Sequence, residues 1–251
     1  NWEAGMELVN KTIRREGIGA RLADGIKAMP EALGREKGVV DELRSKVLDI
    51  KGAGVVMHDH RQFWSVFFGE LIAGAGPCIQ GAGTDMGPRP EVGYTEGTPG
   101  VVHNLDDALA KVDPVRRTQF AKLWFDTLGV CYFSTEGIKD SVELTRRCLV
   151  QAVGWEDFTM EEAFEVGERV TNLMRLVYGR RGFEKSDELD VSPKHLQTTA
   201  IGTGSETGIA PYLPGMVDEY YSQMGWRVDT GLPTAETLRR LGMEEFLDYV
   251  G

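Results

Sequence analysis

Apolar residues along this chain recur mostly at helical spacing, and the pattern predicts a helical protein. Met6, Val9 and Ile13 fall on one face, and Gly17-Ile18-Gly19 then interrupts the period. Asp113-Pro114 reads as an N-cap followed by proline at the first helical position, opening a helix through Lys122 or slightly beyond. Thr159-Met160-Glu161-Glu162 is a capping box, and Ala163, Val166, Val170, Leu173, Met174 and Val177 follow on one face. That helix should run about six turns, to Arg180-Arg181-Gly182, where cations and a glycine suit a C-terminus. Further helices are expected over 215–224 and 234–241. The most apolar run, 63–79, carries Glu70 and is shorter than the ~20 residues of a membrane span, so it reads as a buried helix.

Two stretches break the period. Residues 76–99 are rich in glycine and proline, and 186–214 hold Thr198, Thr199, Thr203, Ser205 and Thr207 between breaks. Loops of this length in a compact domain are usually functional or disordered. No segment alternates as a strand should, and no repeat is present. The expected fold class is all-α with long loops.

Charge and cysteine usage narrow the function classes. Net charge is −11 and pI about 5.0, which disfavours a nucleic-acid or anionic-membrane partner. Three cysteines, Cys78, Cys131 and Cys148, do not make a disulfide framework and fit a reducing cytoplasm. There is no signal-peptide pattern. The chain opens on Asn1-Trp2-Glu3 without an initiator methionine and reads as a fragment of something longer.

One short turn holds the candidate chemistry: Phe125-Asp126-Thr127-Leu128-Gly129-Val130-Cys131. Glycine here allows a positive φ or a close backbone approach. Such a turn can offer N–H groups and a carboxylate to a polar heterocycle, with a thiolate aimed at a metal. It can equally be a turn with a capping Asp and a buried Cys. His58-Asp59-His60-Arg61 has metal-ligand residue types, but residues two apart point in opposite directions on a strand and diverge on a helix; a solvated helix entry capped by Asp59 accounts for it as well. His103 and His195 are isolated, and Cys78 and Cys148 lack a C-x-x-C partner. No nucleotide-binding glycine motif has the required strand–turn–helix context.

At Asp126, Gly129, Val130 and Cys131 the sequence resembles the D-x-x-G-L-C turn of the tungsten-dependent aldehyde:ferredoxin oxidoreductase family, with valine for leucine. Other stretches agree in order. Arg15 to Gly25 resembles the family's G-x-G-x-x-L-A-x-G segment, and Lys51-Gly52 with Asp59 and Arg61 its K-G…Y-D-P-R-G stretch. Gly167-Glu168-Arg169, Asn172-Leu173, Arg175 and Arg181-Gly182-Phe183 are similar to its G-E-R-x-x-N-L-x-R…R-E-G-F helix. Asp218-Glu219-Tyr220-Tyr221, Gly225-Trp226, Gly231, Pro233 and Leu241-Gly242 match its ending.

The resemblance implies the all-α C-terminal domains of that family: the end of a second helical domain over 1–50 and the C-terminal domain over 51–251. It implies a tungsten (or molybdenum) bis-pterin, with Asp126, Gly129 and Val130 at one pterin, and a [4Fe–4S] cluster with Cys131 as one ligand. The other three cluster cysteines would come from a missing N-terminal domain. Electrons would pass to ferredoxin or an iron–sulfur subunit, and the substrate would be an aldehyde. Where aldehyde-oxidising members carry a G-C-H-L run, this chain has Pro77-Cys78-Ile79-Gln80. That departure brings in the benzoyl-CoA reductase branch, whose substrate is an aromatic acyl-CoA. A cofactor-free helical module is the third alternative.

Overall fold

The computed structural model describes residues 1–55, 64–74, 102, 104–135, 138–191 and 209–250. The chain is mostly helical, as its periodicity predicts. The N-terminal layer consists of α1 (Trp2–Arg14), α2 (Ile18–Leu22), α3 (Met29–Gly34) and α4 (Val40–Arg44). A two-residue antiparallel ribbon follows, β1 (Asp49–Ile50) with β2 (Ala53–Gly54), which the absence of alternation did not predict. Then come α5 (Trp64–Ile72), α6 (Leu105–Leu109), α7 (Val112–Thr127), α8 (Ser141–Val153), α9 (Met160–Arg180), α10 (Lys185–Glu188), α11 (Leu213–Gln223) and α12 (Ala235–Arg240).

The apolar run around Phe67 is a buried helix, α5, whose Phe67, Phe68, Leu71 and Ile72 enter the main core. There they meet Val112, Val115 and Phe120 of α7 and Met216, Val217, Tyr220 and Tyr221 of α11. A second cluster gathers Ala121, Trp124 and Phe125 of α7 with Val142 and Ala163. A third joins Leu176 to Leu238, Leu241 and Met243. Among the described residues, 1–49 supply no member to any of the three clusters. On α1, Trp2, Met6, Val9 and Ile13 are exposed.

Helix α7 begins two residues earlier than expected. Lys111 occupies the N-cap position, and Asp113 lies in the first turn, where it accepts from Arg116 Nε at 3.1 Å. An acid there still meets the positive end of the helix dipole, so the residue suits the helix start without being its cap. The α9 capping box is as expected: Glu162 N donates to Thr159 Oγ1 at 3.1 Å and Thr159 N to Glu162 Oε2 at 2.7 Å. Both ends of the expected irregular stretch 186–214 are ordered, as α10 and as the single 3₁₀ turn Ala210–Tyr212 leading into α11.

The face that α9 buries differs from the apolar one its sequence predicts. Leu173 and Val177 are 42% and 44% exposed, whereas Glu168, Thr171, Asn172 and Arg175 are buried. The reason is that each buried polar group has a partner, which removes the desolvation penalty that normally keeps it outside. Gly167 supplies the close approach: a Cβ there would lie 2.1 Å from the Phe120 carbonyl oxygen of α7.

Candidate functional site

The seven-residue turn sits where α7 stops. Phe125, Asp126 and Thr127 form its last turn, and Leu128 is the C-cap. Gly129 has φ +69°, Val130 N donates to Phe125 O at 2.9 Å, and Gly129 N donates to Asp126 O at 3.0 Å. These two bonds define a Schellman cap, which explains the glycine. Leu128 and Val130 pack on the second cluster and fix the turn to the core. Cys131 follows at once. Its carbonyl accepts from Ser134 N at 2.9 Å and Ser134 Oγ at 2.6 Å, which locks the backbone after the thiol into the turn Tyr132–Ser134.

The polar members of the turn face outward. Asp126, Gly129 and Cys131 are all exposed, and Cys131 is a free thiol. Two premises of the packing alternative therefore fail. Cys131 is not buried, and Asp126 caps nothing: its carboxylate accepts from Lys122 Nζ, one turn back. An acid in the last turn of a helix also faces the negative end of the dipole. Within the helix, Asp126 serves as the ion-pair partner of the buried Lys122 side chain and not as a cap.

These residues fit one edge of a larger polar group. A Cβ at Gly129 would meet nothing within 4 Å, so the backbone there is open to an approaching ligand. The chain does not supply a complete metal site among its described residues: no group of three or more His, Cys, Asp and Glu comes together. Cys148 lies exposed on α8. His58, Asp59, His60, Arg61, Cys78, Ile79, His103 and His195 lie outside the described residues.

A second polar assembly escaped the sequence reading. Arg175 on α9 donates from Nη1 to Glu188 Oε1 at 2.6 Å and from Nε to Gly231 O at 2.6 Å, and it bonds Tyr221 Oη. Lys51, from the ribbon, pairs with Glu188 Oε2 at 2.7 Å. Burial pushes the Lys51 ammonium below its ordinary pKa while Glu188 opposes that shift. The Arg175 guanidinium also lies over Phe183, Tyr221 and Trp226 at 4.6, 5.0 and 4.9 Å from the ring centroids. Trp226 Nε1 donates to Asn172 Oδ1 at 2.8 Å, and Tyr220 Oη to Gln119 Oε1 at 2.8 Å. The motif residues Lys51, Asn172, Arg175, Tyr221 and Trp226 thus hold elements together inside the protein. The available signal was that Asn172 and Arg175 fall within the family-like G-E-R-x-x-N-L-x-R stretch, which spacing alone read as an exposed face.

Fold and turn together define a multihelical domain with an outward-facing D-x-x-G-V-C helix cap. A family model described as aldehyde ferredoxin oxidoreductase, domains 2 & 3, matches residues 1–243, and the chain belongs to that family. The tungsten-containing aldehyde ferredoxin oxidoreductase of Pyrococcus furiosus is 28% identical over 243 residues, 95% of this chain and 36% of that protein. The same enzyme of Pyrococcus abyssi is 34% identical over 145 residues, 58% of this chain and 23% of that protein. The chain therefore spans about a third or less of the length of these relatives. A solved structure, the active site complex BamBC of benzoyl coenzyme A reductase with 1,5-dienoyl-CoA, shares the fold. Its TM-score is 0.67 at 19% identity, covering 96% of this chain and 39% of that one. No described helix is long and apolar enough to cross a membrane.

Proposed function

We propose that this chain is the C-terminal part of a tungsten bis-pterin, [4Fe–4S] oxidoreductase that exchanges electrons between a substrate and a ferredoxin or iron–sulfur partner. One observation carries the reading: Asp126, Gly129 and Cys131 stand together, exposed, on a helix cap anchored by Leu128 and Val130. Family membership supports it. Asp126 would accept hydrogen bonds from the donor edge of a pterin, as a carboxylate can accept several. Gly129 would let the group lie against bare backbone. Cys131 would ligate as a thiolate, the only form that binds iron, and its exposure leaves it accessible to three ligands from elsewhere. When bound, the metal–pterin and cluster supply the two-electron and one-electron chemistry.

The test is metal and pterin analysis of the full-length protein carrying Cys131→Ala or Asp126→Ala. Cys131→Ala should lose most iron and the broad visible absorbance of the cluster. Asp126→Ala should lose pterin and tungsten together. A folded Cys131→Ala protein with unchanged iron would overturn the ligand assignment.

Ile79, where aldehyde-oxidising members have histidine, favours a second reading of the substrate. In it the same cofactors serve reduction of an aromatic acyl-CoA, the kind of reaction for which the benzoyl coenzyme A reductase complex BamBC is named. Parallel assays of the loaded protein with an aldehyde and with an aromatic acyl-CoA separate the two. A full-length protein without tungsten would leave only the cofactor-free helical module.

A further inference from the structure

We propose that Lys122 is a positioning residue for Asp126, holding one carboxylate oxygen so that the other faces the pterin; this rests on the functional reading above. Lysine is almost never fully buried unless paired. Here the side chain is only 7% exposed, within a run from Ala121 to Phe125 that is buried throughout. Among the described residues its ammonium reaches one acceptor, Asp126 Oδ2. Asp126 Oδ1 takes no bond from any described residue, and the Asp126 side chain is exposed.

Stability alone does not explain this pair. The order, lysine one turn before the acid, is the weaker one for a helical ion pair. The acid also stands at the wrong end of the helix dipole, and the last turn of α7 has no cation of its own. Threading a lysine stem through the core to meet an exposed carboxylate makes sense if the orientation of that carboxylate matters. Orienting partners of this kind change the affinity of a bound group by about 10- to 100-fold in metal sites.

The experiment uses the full-length protein with Lys122→Met, Lys122→Arg, Asp126→Ala and the Lys122→Met/Asp126→Ala double variant. Pterin is released, oxidised to its fluorescent form and counted per chain, tungsten is measured by mass spectrometry, and unfolding midpoints report the fold. Lys122→Met should lower pterin affinity about tenfold or more, and Lys122→Arg should restore at least half the occupancy. In the double variant Lys122→Met should add nothing to Asp126→Ala, because the lysine acts through the acid. Normal occupancy in Lys122→Met alongside loss in Asp126→Ala overturns the positioning role and leaves the site reading intact. Additive losses in the double variant also overturn it. Normal occupancy in Asp126→Ala overturns both. If Lys122→Met does not fold, Lys122→Arg decides: occupancy as low as in Asp126→Ala rejects the proposal.

Discussion

Arg175 and Glu188 form an ion pair at 2.6 Å with both side chains almost wholly out of water. The pair joins α9 to α10, and Lys51, Tyr221 and the Gly231 carbonyl complete it. Buried pairs of this kind contribute little net stability over apolar residues of the same shape, but breaking one leaves a buried charge uncompensated. Arg175→Met should therefore destabilise the fold by about 3–5 kcal/mol, measured by urea unfolding. Arg175→Lys should recover little, since an ammonium cannot reproduce the guanidinium's fork of donors to Glu188, Gly231 and Tyr221. A loss under about 1 kcal/mol would mean that water reaches the pair in solution.

Much of the helical frame was legible in the sequence, because caps and periodicity are local. Thr159 and Glu162 satisfy each other's backbone three residues apart, and Gly129 closes α7 within its own turn. The burial of Arg175 was not legible, because its partners lie 13, 46 and 56 residues away. Without them, hydrophobic spacing turned Leu173 and Val177 inward. The outward orientation of Asp126 and Cys131 was likewise undecided by spacing. A Schellman cap fits a buried or an exposed cysteine equally well.

Buried ionisable groups give the fold a signed pH dependence. Burial lowers the pKa of Lys111 to about 8, with Asp107 opposing, and it lowers Lys51 as well. Between about pH 8 and the ordinary lysine value near 10.4, the unfolded chain holds a proton at Lys111 that the folded chain has released. Stability should rise with pH across that window. Burial raises Tyr220 and Tyr221 above the ordinary phenol value. Above about pH 10 the unfolded chain loses protons the folded chain keeps, so stability should then fall. Chemical unfolding from pH 7 to 11 should show a maximum near pH 10. Lys111→Met should flatten the rise and leave the fall.

Two glycines are expected to respond to alanine with different magnitudes. At Gly129 a Cβ has open space, so only the positive φ is strained, and Gly129→Ala should cost about 1 kcal/mol. At Gly167 a Cβ would sit 2.1 Å from a carbonyl oxygen of α7, which cannot swing aside as a side chain would. Gly167→Ala must part α7 from α9, with an expected loss of about 3 kcal/mol or more. Thermal unfolding of the two variants checks the order, and a larger loss at Gly129 would contradict the packing of these helices.

Residues 1–251 produced by themselves should contain neither stoichiometric iron nor stoichiometric tungsten. A cubane cluster normally takes four cysteine ligands, and this chain has one in the D-x-x-G-V-C turn, with Cys148 exposed on a separate helix. Asp126, Gly129 and Cys131 lie exposed, so no described residue on their outer side would hold a bound group against water. A ligand stabilises only a state able to bind it. Co-production with the rest of the full-length protein should restore both metals and raise the melting temperature. The rise should be smaller in Asp126→Ala and Cys131→Ala, because each removes one of the contacts through which binding adds to stability. Metal-loaded, redox-active protein obtained from residues 1–251 alone would reject the shared-site reading, since these residues would then complete the cluster unaided.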